Sequence, residues 1–198
     1  MLIVINCQNG FVDKADKKVF ENIVEAAERV ETAWFLTWAN PPDAAFLKGT
    51  QPVLRPVHEA ALHERLLALD QHPIHAMRFP DDIRGKFEEA LEGVKEVWIM
   101  GIDTEGWLVQ IAAELWSRRI KPHFVAGAWT AISTQKHALS DVRLELQRRF
   151  GGAAFIDWEK YLPTLPPKPE FTLKSLQTKV EGAEEGEEVP VEGEEPSA

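Results

Sequence analysis

The chain has 198 residues, of which 44% are hydrophobic and seven are tryptophan, and this composition suits one domain of ordinary size with a substantial core. The formal net charge is −10, but eight of the 32 acidic residues fall between Glu181 and the end of the chain, where no basic residue occurs. The first 180 residues therefore carry 24 acidic against 22 basic residues. A body so close to neutral lacks the basic footprint of a nucleic-acid-binding surface, so we expect no nucleic-acid partner.

The N-terminal residues and the single cysteine bear on where the protein works. Cys7 is the only cysteine, which excludes an intrachain disulfide and fits a reducing compartment. The opening apolar run, Met1–Ile5, has no basic residue before it and is too short for a signal peptide or a membrane span. We therefore expect a cytoplasmic protein, or a subunit of a complex assembled inside the cell, with no membrane contact.

Short apolar runs and amphipathic segments alternate along the chain. Apolar runs of a few residues are typical of strands buried on both faces, whereas apolar spacings of three and four residues indicate a helix with one buried face. The predicted strands are Leu2–Ile5, Ala33–Trp38, Ile74–Met77, Val97–Met100, His123–Ala126 and Ala153–Ile156. The predicted helices are Asp16–Val30, His58–Leu69, Asp81–Leu91, Glu105–Arg118 and Gln135–Phe150. This alternation predicts a three-layer α/β sandwich, in which a mostly parallel sheet of about six strands has helices on both faces.

Composition divides the chain into three parts. Residues 1–160 hold all the predicted strands and helices and form the predicted α/β domain, with a proline-containing loop at 39–56. Residues 161–180 begin with closely spaced prolines and form an extension that is a candidate interface element. Residues 181–198 are rich in Glu and Gly, and we expect this acidic tail to be disordered in isolation.

The stretch Gly101–Trp107 is the strongest indication of a functional site. It follows a predicted strand and opens a predicted helix, which is the position where α/β enzymes place their chemistry. A cysteine at the start of such a helix would have its thiolate stabilised by the helix dipole. Trp107 stands where that cysteine is expected, so the arrangement is typical of an enzyme but the nucleophile is missing.

Three motifs resemble those of the isochorismatase-like cysteine hydrolases, the family that includes nicotinamidases and N-carbamoylsarcosine amidases. Ile3–Phe11 is similar to the opening strand of the family, I-D-x-Q-N-x-F. Gly101–Leu108 is similar to G-[VI]-x-T-[DN]-x-C-V, and Gly127–Ala131 with His137 is similar to D-A-x-A-S followed by a histidine. The three motifs extend over the whole predicted domain, to about Ile156, and the resemblance implies the isochorismatase-like fold.

The resemblance also implies a reaction that depends on three side chains. In the family an aspartate acts as general base, a lysine stabilises developing negative charge and a cysteine is the nucleophile. Asn6, Ala76 and Trp107 occupy those three positions here. None of these side chains can do the corresponding chemistry, because an amide is no base near neutral pH and neither a methyl group nor an indole supplies a charge or a thiolate. We therefore assign no catalytic residue.

Nicotinamidase-type members of the family also hold a metal through His and Asp residues that follow the second strand. This sequence has no histidine between Trp38 and Val57, so we predict no metal and no other cofactor. The family's substrate pocket should persist in altered form, and we call it the remnant pocket. We expect the large indole of Trp107 to fill part of it. Its predicted members are Asn6, Phe11, Trp38, Arg78, Ile102, Asp103 and Trp107.

These observations favour a catalytically inactive isochorismatase-like protein that serves as a binding, scaffold or assembly subunit. The family resemblance implies a homo-oligomer, and the acidic tail or residues 161–180 could contact a protein partner. Two alternatives stay open. One is a divergent isochorismatase or amide hydrolase that uses Cys7, His75 or a bound water, so the question of enzymatic activity is not closed. The other is a sensor that binds a small molecule in the remnant pocket.

Overall fold

The computed structural model describes residues 1–38, 57–77, 82–104, 106–132 and 138–168. Within these ranges, six strands form one sheet in the order β3-β2-β1-β4-β5-β6, and every neighbouring pair is parallel. The strands are β1 (Leu2–Ile5), β2 (Ala33–Trp38), β3 (Ile74–Met77), β4 (Glu96–Thr104), β5 (Lys121–Ile132) and β6 (Phe155–Asp157). The predicted α/β fold with a six-stranded parallel sheet is confirmed.

Helices connect the strands. They are α1 (Asn9–Val12), α2 (Lys17–Arg29), α3 (Val57–Ala60), α4 (Glu64–Leu67), α5 (Lys86–Ala90), α6 (Trp107–Ser117), α7 (Ala138–Phe150) and α8 (Trp158–Tyr161). The long helix α2 begins where the sequence predicts it, because the carboxylate of Asp16 accepts the backbone N–H groups of Lys18 (2.7 Å) and Val19 (3.3 Å). Within the described part of the chain, no helix is long and apolar enough to cross a membrane.

The sheet and all the helices named above belong to one compact unit, Met1–Pro167. A second unit, Lys168–Ala198, has only its first residue within the described ranges. The helix α8 and the 3₁₀ turn Leu162–Thr164 carry regular structure beyond the predicted domain boundary at residue 160. The predicted acidic tail, and the extension from residue 169 onward, lie outside the described residues.

The strand order places one end of β1 at a special position. From β1 the chain builds the sheet outward through β2 and β3, and it then returns to the other side of β1 with β4, β5 and β6. The crevice between the carboxyl ends of β1 and β4 is therefore a topological switch point, where open α/β sheets bind ligands. All four residues of β1 are buried, so this strand is the centre of the core.

A glycine lets β1 and β4 approach at the switch point. Gly101 lies opposite Ile5 in the parallel register and has a φ of 129°, a value that side-chain-bearing residues rarely adopt. A Cβ atom built on Gly101 would lie 2.2 Å from the backbone oxygen of Ile5. The register between β4 and β5 also shifts between Ile99 and Gly101. The G of the second motif is thus required by close backbone contact.

The predicted single helix His58–Leu69 is wrong. The structure has two short helices, α3 and α4, because the backbone between them pairs with the chain that follows β1. The N–H of Asn9 donates to the carbonyl of Ala61 (3.0 Å), and the N–H of His63 donates to the carbonyl of Cys7 (3.0 Å). These contacts take backbone groups that a continuous helix would use internally. Helical periodicity alone did not reveal this competing partner.

Other helices and strands are shorter or longer than the sequence predicts. The helix predicted at Asp81–Leu91 is shorter and begins after Gly85, whose φ of 58° suits glycine and stops the helix from extending backward. The strands β4 and β5 are longer than predicted, with nine and twelve residues. The helices α1 and α8 were not predicted at all, since a helix of four residues carries too little periodicity to be recognised.

Candidate functional site

The first candidate position lies at the carboxyl end of β1. Asn6 follows the last residue of the strand, is 1% exposed and has a φ of 52°. Asparagine tolerates this left-handed conformation better than most residues. Its N–H donates to the carbonyl of Leu36 in β2 (2.8 Å), which fixes the backbone where the parallel ladder ends. An amide side chain is therefore held inside the protein at the position where the motif resemblance leads us to expect an aspartate.

Gln8 fixes the backbone at the same end of the strands, although its position in the sequence did not predict this role. Its side-chain oxygen accepts the N–H of Trp38 (2.7 Å), and its side-chain nitrogen donates to the carbonyls of Trp38 (2.9 Å) and Ala60 (2.7 Å). Gln8 is 1% exposed, so these bonds replace water for three backbone groups. The only indication in the sequence was the Q of the first motif. One sequence by itself does not distinguish a structurally required glutamine from any other polar residue.

The structure brings three aromatic members of the predicted remnant pocket together, and we call them the aromatic stack: Phe11, Trp38 and Trp107. Trp107 is the first residue of α6 and follows Gly106, whose φ is 85°. The Trp107 and Trp38 ring centroids are 5.1 Å apart at 45°, and those of Trp38 and Phe11 are 6.0 Å apart at 11°. All three side chains are buried, and Trp107 is only 7% exposed. The indole of Trp107 is therefore packed inside the protein and does not project into solvent.

The remaining predicted site residues are distributed differently. Ile102 is fully buried in β4 and lies opposite Thr130 of β5. Ala76 is exposed on β3, which is separated from β1 by β2, and it lies opposite Thr37. Arg78 and the side chain of Asp103 lie outside the described residues, as does the segment 39–56 in which the family's metal ligands would be sought. In the described ranges, no group of three or more His, Cys, Asp or Glu side chains is placed to hold a metal ion.

Two further side chains belong to the alternative of a divergent hydrolase. Cys7 is 1% exposed, its Sγ lies 3.6 Å from the carbonyl oxygen of Ile5, and burial raises the pKa of its thiol far above the ordinary value. At neutral pH this thiol is protonated and has no thiolate to offer. His75 is half-buried on β3, its Nε2 lies 2.8 Å from the carbonyl oxygen of Asp82, and its ring packs on Phe87. Each group is therefore engaged in local structure.

Comparison with known proteins identifies the fold. No family model matches the chain, and no curated protein matches it. Solved structures do. An isochorismatase-like hydrolase from Alkaliphilus metalliredigens has 14% sequence identity and a TM-score of 0.62, over 82% of this chain and 97% of that one. The nicotinamidase PncA from Bacillus subtilis has 13% identity and a TM-score of 0.59, over 76% and 95%.

A third similar structure is the MAR1 ribonuclease from Caenorhabditis elegans, with 17% identity and a TM-score of 0.59 over 100% of this chain and 94% of that one. Together these matches show that the chain has the isochorismatase-like α/β fold, as the three motifs predicted. At sequence identities of 13 to 17%, these matches show a shared fold and do not show a shared activity.

Proposed function

We propose that this protein is a catalytically inactive member of the isochorismatase-like fold that acts as a binding, scaffold or assembly subunit. The observation that carries the proposal is the aromatic stack. Where the family resemblance places the nucleophile, Trp107 packs its indole against Trp38, 5.1 Å between ring centroids, and is 7% exposed. An indole carries neither an ionisable proton near neutral pH nor a nucleophilic atom, so this position can supply packing but no covalent catalysis.

The other two replacements support the same proposal independently. At the base position, the amide of Asn6 is buried and cannot accept a proton near neutral pH. At the lysine position, Ala76 offers no charge to stabilise an oxyanion. Cys7 cannot substitute for the lost nucleophile, because its thiol is buried and protonated. His75 lies on β3, which β2 separates from β1, and its Nε2 contacts a backbone carbonyl, so it is not placed to act as a base for Cys7.

The setting and the assembly of the protein form part of the proposal. A free, buried Cys7 fits a reducing compartment, which supports a cytoplasmic location. A homo-oligomer is proposed from the family resemblance, and light scattering coupled to size-exclusion chromatography tests it directly. A protein partner is proposed for residues 161–180 or for the acidic tail. Deleting residues 181–198 separates these two regions in a pull-down experiment.

The test of inactivity is an amide-hydrolysis assay on the full chain. Ammonia release from nicotinamide and from N-carbamoylsarcosine is measured beside the B. subtilis nicotinamidase as a positive control. We expect no release above that of the Cys7→Ala variant. Turnover by the wild-type chain that disappears in Cys7→Ala or His75→Ala would establish the divergent hydrolase instead. A thermal shift with a small molecule, abolished by Trp38→Ala, would favour the sensor.

A matched pair of single-thiol proteins tests whether a thiol at position 107 would be reactive where the thiol of Cys7 is not. The wild-type chain carries only Cys7, and Cys7→Ala combined with Trp107→Cys carries only a thiol at the start of α6. Helix N-termini lower thiol pKa values, so we expect the second protein to react with iodoacetamide at neutral pH much faster than the first. Labelling of the wild-type chain as fast as that of a free thiol in solution would show that Cys7 is accessible and would weaken the argument for inactivity.

The name of the C. elegans relative makes RNA cleavage a further arm of the assay. The first 180 residues carry 24 acidic and 22 basic residues, and such a balance gives no strong electrostatic attraction to phosphate backbones. We therefore expect no cleavage of single-stranded RNA and no salt-dependent RNA binding. Cleavage that increases with protein concentration and co-elutes with the protein in size-exclusion chromatography would contradict the proposal.

A further inference from the structure

We propose that residues 162–168 are a ligand for a polyproline-binding module of the SH3 type, one whose groove has aromatic walls and an acidic pocket at one end. The segment reads Leu-Pro-Thr-Leu-Pro-Pro-Lys, so a Leu-Pro pair recurs after three residues and a lysine follows after three more. Such grooves recognise Pro-x-x-Pro segments in the polyproline II conformation. This inference does not depend on the loss of the hydrolase reaction, since an active enzyme could carry the same segment.

The period of the polyproline II helix decides which side chains would meet the groove. That helix has three residues per turn, so residues three apart lie on one ridge. In this conformation Leu162, Leu165 and Lys168 form a first ridge, and Pro163 and Pro166 form a second. Thr164 and Pro167 fall on the third ridge and face away. A groove that contacts two ridges is therefore offered two Leu-Pro pairs and then one positive charge.

Part of the segment already has the required backbone. Leu165 has φ −74° and ψ 149°, which are polyproline II values, and the proline that follows it restricts it to that region. Pro163, Pro166 and Pro167 are exposed. The apolar residues Leu162 and Leu165 are partly buried against the core. The second half of the segment is thus presented to solvent, whereas the first half is held as a 3₁₀ turn.

The turn at Leu162–Thr164 begins with a residue in a disfavoured backbone conformation. Leu162 is in the right-handed α region (φ −50°, ψ −44°), although it precedes Pro163, and a residue before proline is disfavoured in that region. Two hydrogen bonds close the turn: the N–H of Leu165 donates to the carbonyl of Leu162 (3.2 Å), and the hydroxyl of Thr164 donates to the carbonyl of Tyr161 (2.7 Å). Opening it moves Leu162 to a backbone conformation that Pro163 favours.

The charge of the partner follows from the position of Lys168. The lysine comes at the C-terminal end of the segment, on the same ridge as the two leucines, so the groove needs an acidic pocket one turn beyond the second Leu-Pro pair. A WW domain, which recognises prolines with aromatic side chains, would not require this charge. Charge reversal at Lys168 therefore distinguishes the two classes of module.

The experiment titrates the full chain into a panel of purified SH3 domains and, separately, WW domains, using isothermal calorimetry with a Pro-x-x-Pro peptide as a positive control. We expect micromolar binding to members of the SH3 panel. Pro166→Ala should weaken binding at least tenfold, and Lys168→Glu by a similar factor. Thr164→Ala removes the hydroxyl that closes the turn and should strengthen binding about twofold to fivefold. Thermal melts confirm that each variant is folded.

Two matched controls make the result decisive. Pro167→Ala changes a neighbouring exposed proline on the third ridge and should alter affinity by no more than about twofold. Lys160→Glu reverses an exposed charge outside the segment and should have no effect. The proposal is overturned if no SH3 domain binds the chain while the control peptide binds, if WW domains alone bind, or if Pro166→Ala and Pro167→Ala weaken binding equally.

Discussion

The two ends of the parallel strands, which we call the carboxyl edge and the amino edge of the sheet, are built in opposite ways. At the carboxyl edge, where proteins of this architecture place their chemistry, the buried rings of the aromatic stack, carried by α1, β2 and α6, contact one another. At the amino edge, Trp98 and Tyr161 pack 4.7 Å apart beside a cavity of about 330 Å³ that Leu2, Val30 and Leu165 also line. Among the described residues, the carboxyl edge is filled by the aromatic stack, and a cavity lies at the amino edge.

This contrast has a physical basis in what each residue type contributes. A buried tryptophan removes roughly 150–250 Å² of surface from water, far more than a cysteine. An indole at position 107 therefore adds buried apolar surface but supplies no reactive group. The amino edge keeps a short 3₁₀ turn, Leu162–Thr164, over its cavity, and this turn is the part we propose to be released for a partner. We therefore expect substitutions at the carboxyl edge to cost more stability, and conformational change to occur at the amino edge.

The largest effect is expected from Gly101→Ala at the carboxyl edge. A Cβ atom there would lie 2.2 Å from the Ile5 oxygen and 2.6 Å from the Ile5 nitrogen, both of them backbone atoms that cannot rotate away. We expect unfolding to become easier by about 4 kcal/mol or more, or the variant not to fold. Urea denaturation followed by tryptophan fluorescence measures this change.

Gly152→Ala is the matched control for that substitution. A Cβ atom at Gly152 would meet nothing within 4 Å, and its backbone conformation is not one that demands glycine. We expect a change within about 0.5 kcal/mol. If Gly101→Ala were as mild as this control, the close approach of β1 and β4 would not be the constraint that defines the carboxyl edge.

The second effect compares two tryptophans on one helix. Trp107→Ala empties the volume of a buried indole at the start of α6 and should cost about 3 kcal/mol or more in the free energy of unfolding. Trp116, on the same helix, is 52% exposed, and Trp116→Ala should cost about 1 kcal/mol or less. Chemical denaturation of both variants under one condition tests the difference. Equal costs would show that the aromatic stack adds little to stability.

The sequence predicted the sheet and its central strand, because continuous apolar runs such as Leu2–Ile5 leave few structural alternatives. It did not predict the role of Gln8 or the break between α3 and α4. Both depend on hydrogen bonds between segments about 50 residues apart, Gln8 with Ala60 and Asn9 with Ala61, and no local pattern reports such pairs. Trp107 was placed correctly at the helix start, but its contact with Trp38 follows from the strand order.

The smallest effect probes the amino edge through its pH dependence. Tyr161 is the chain's only tyrosine, and burial raises the pKa of its phenol from 10.0 to about 12. Below pH 10 the phenol is neutral in both the folded and the unfolded chain, so stability does not depend on it. Between pH 10 and 12 the unfolded chain loses this proton and the folded chain keeps it, so stability should fall with rising pH by up to about 1.4 kcal/mol per pH unit.

Tyr161→Phe should remove this part of the alkaline slope while leaving the contributions of the other titrating groups, so the difference between the two slopes isolates the phenol. Because no other tyrosine contributes, the ultraviolet absorbance of phenolate reports the same pKa directly in the folded chain. A midpoint near the ordinary value of 10 would mean that the ring beside Trp98 is reached by water. The amino edge would then be more open than its packing indicates, and the turn at Leu162–Thr164 would already be partly released.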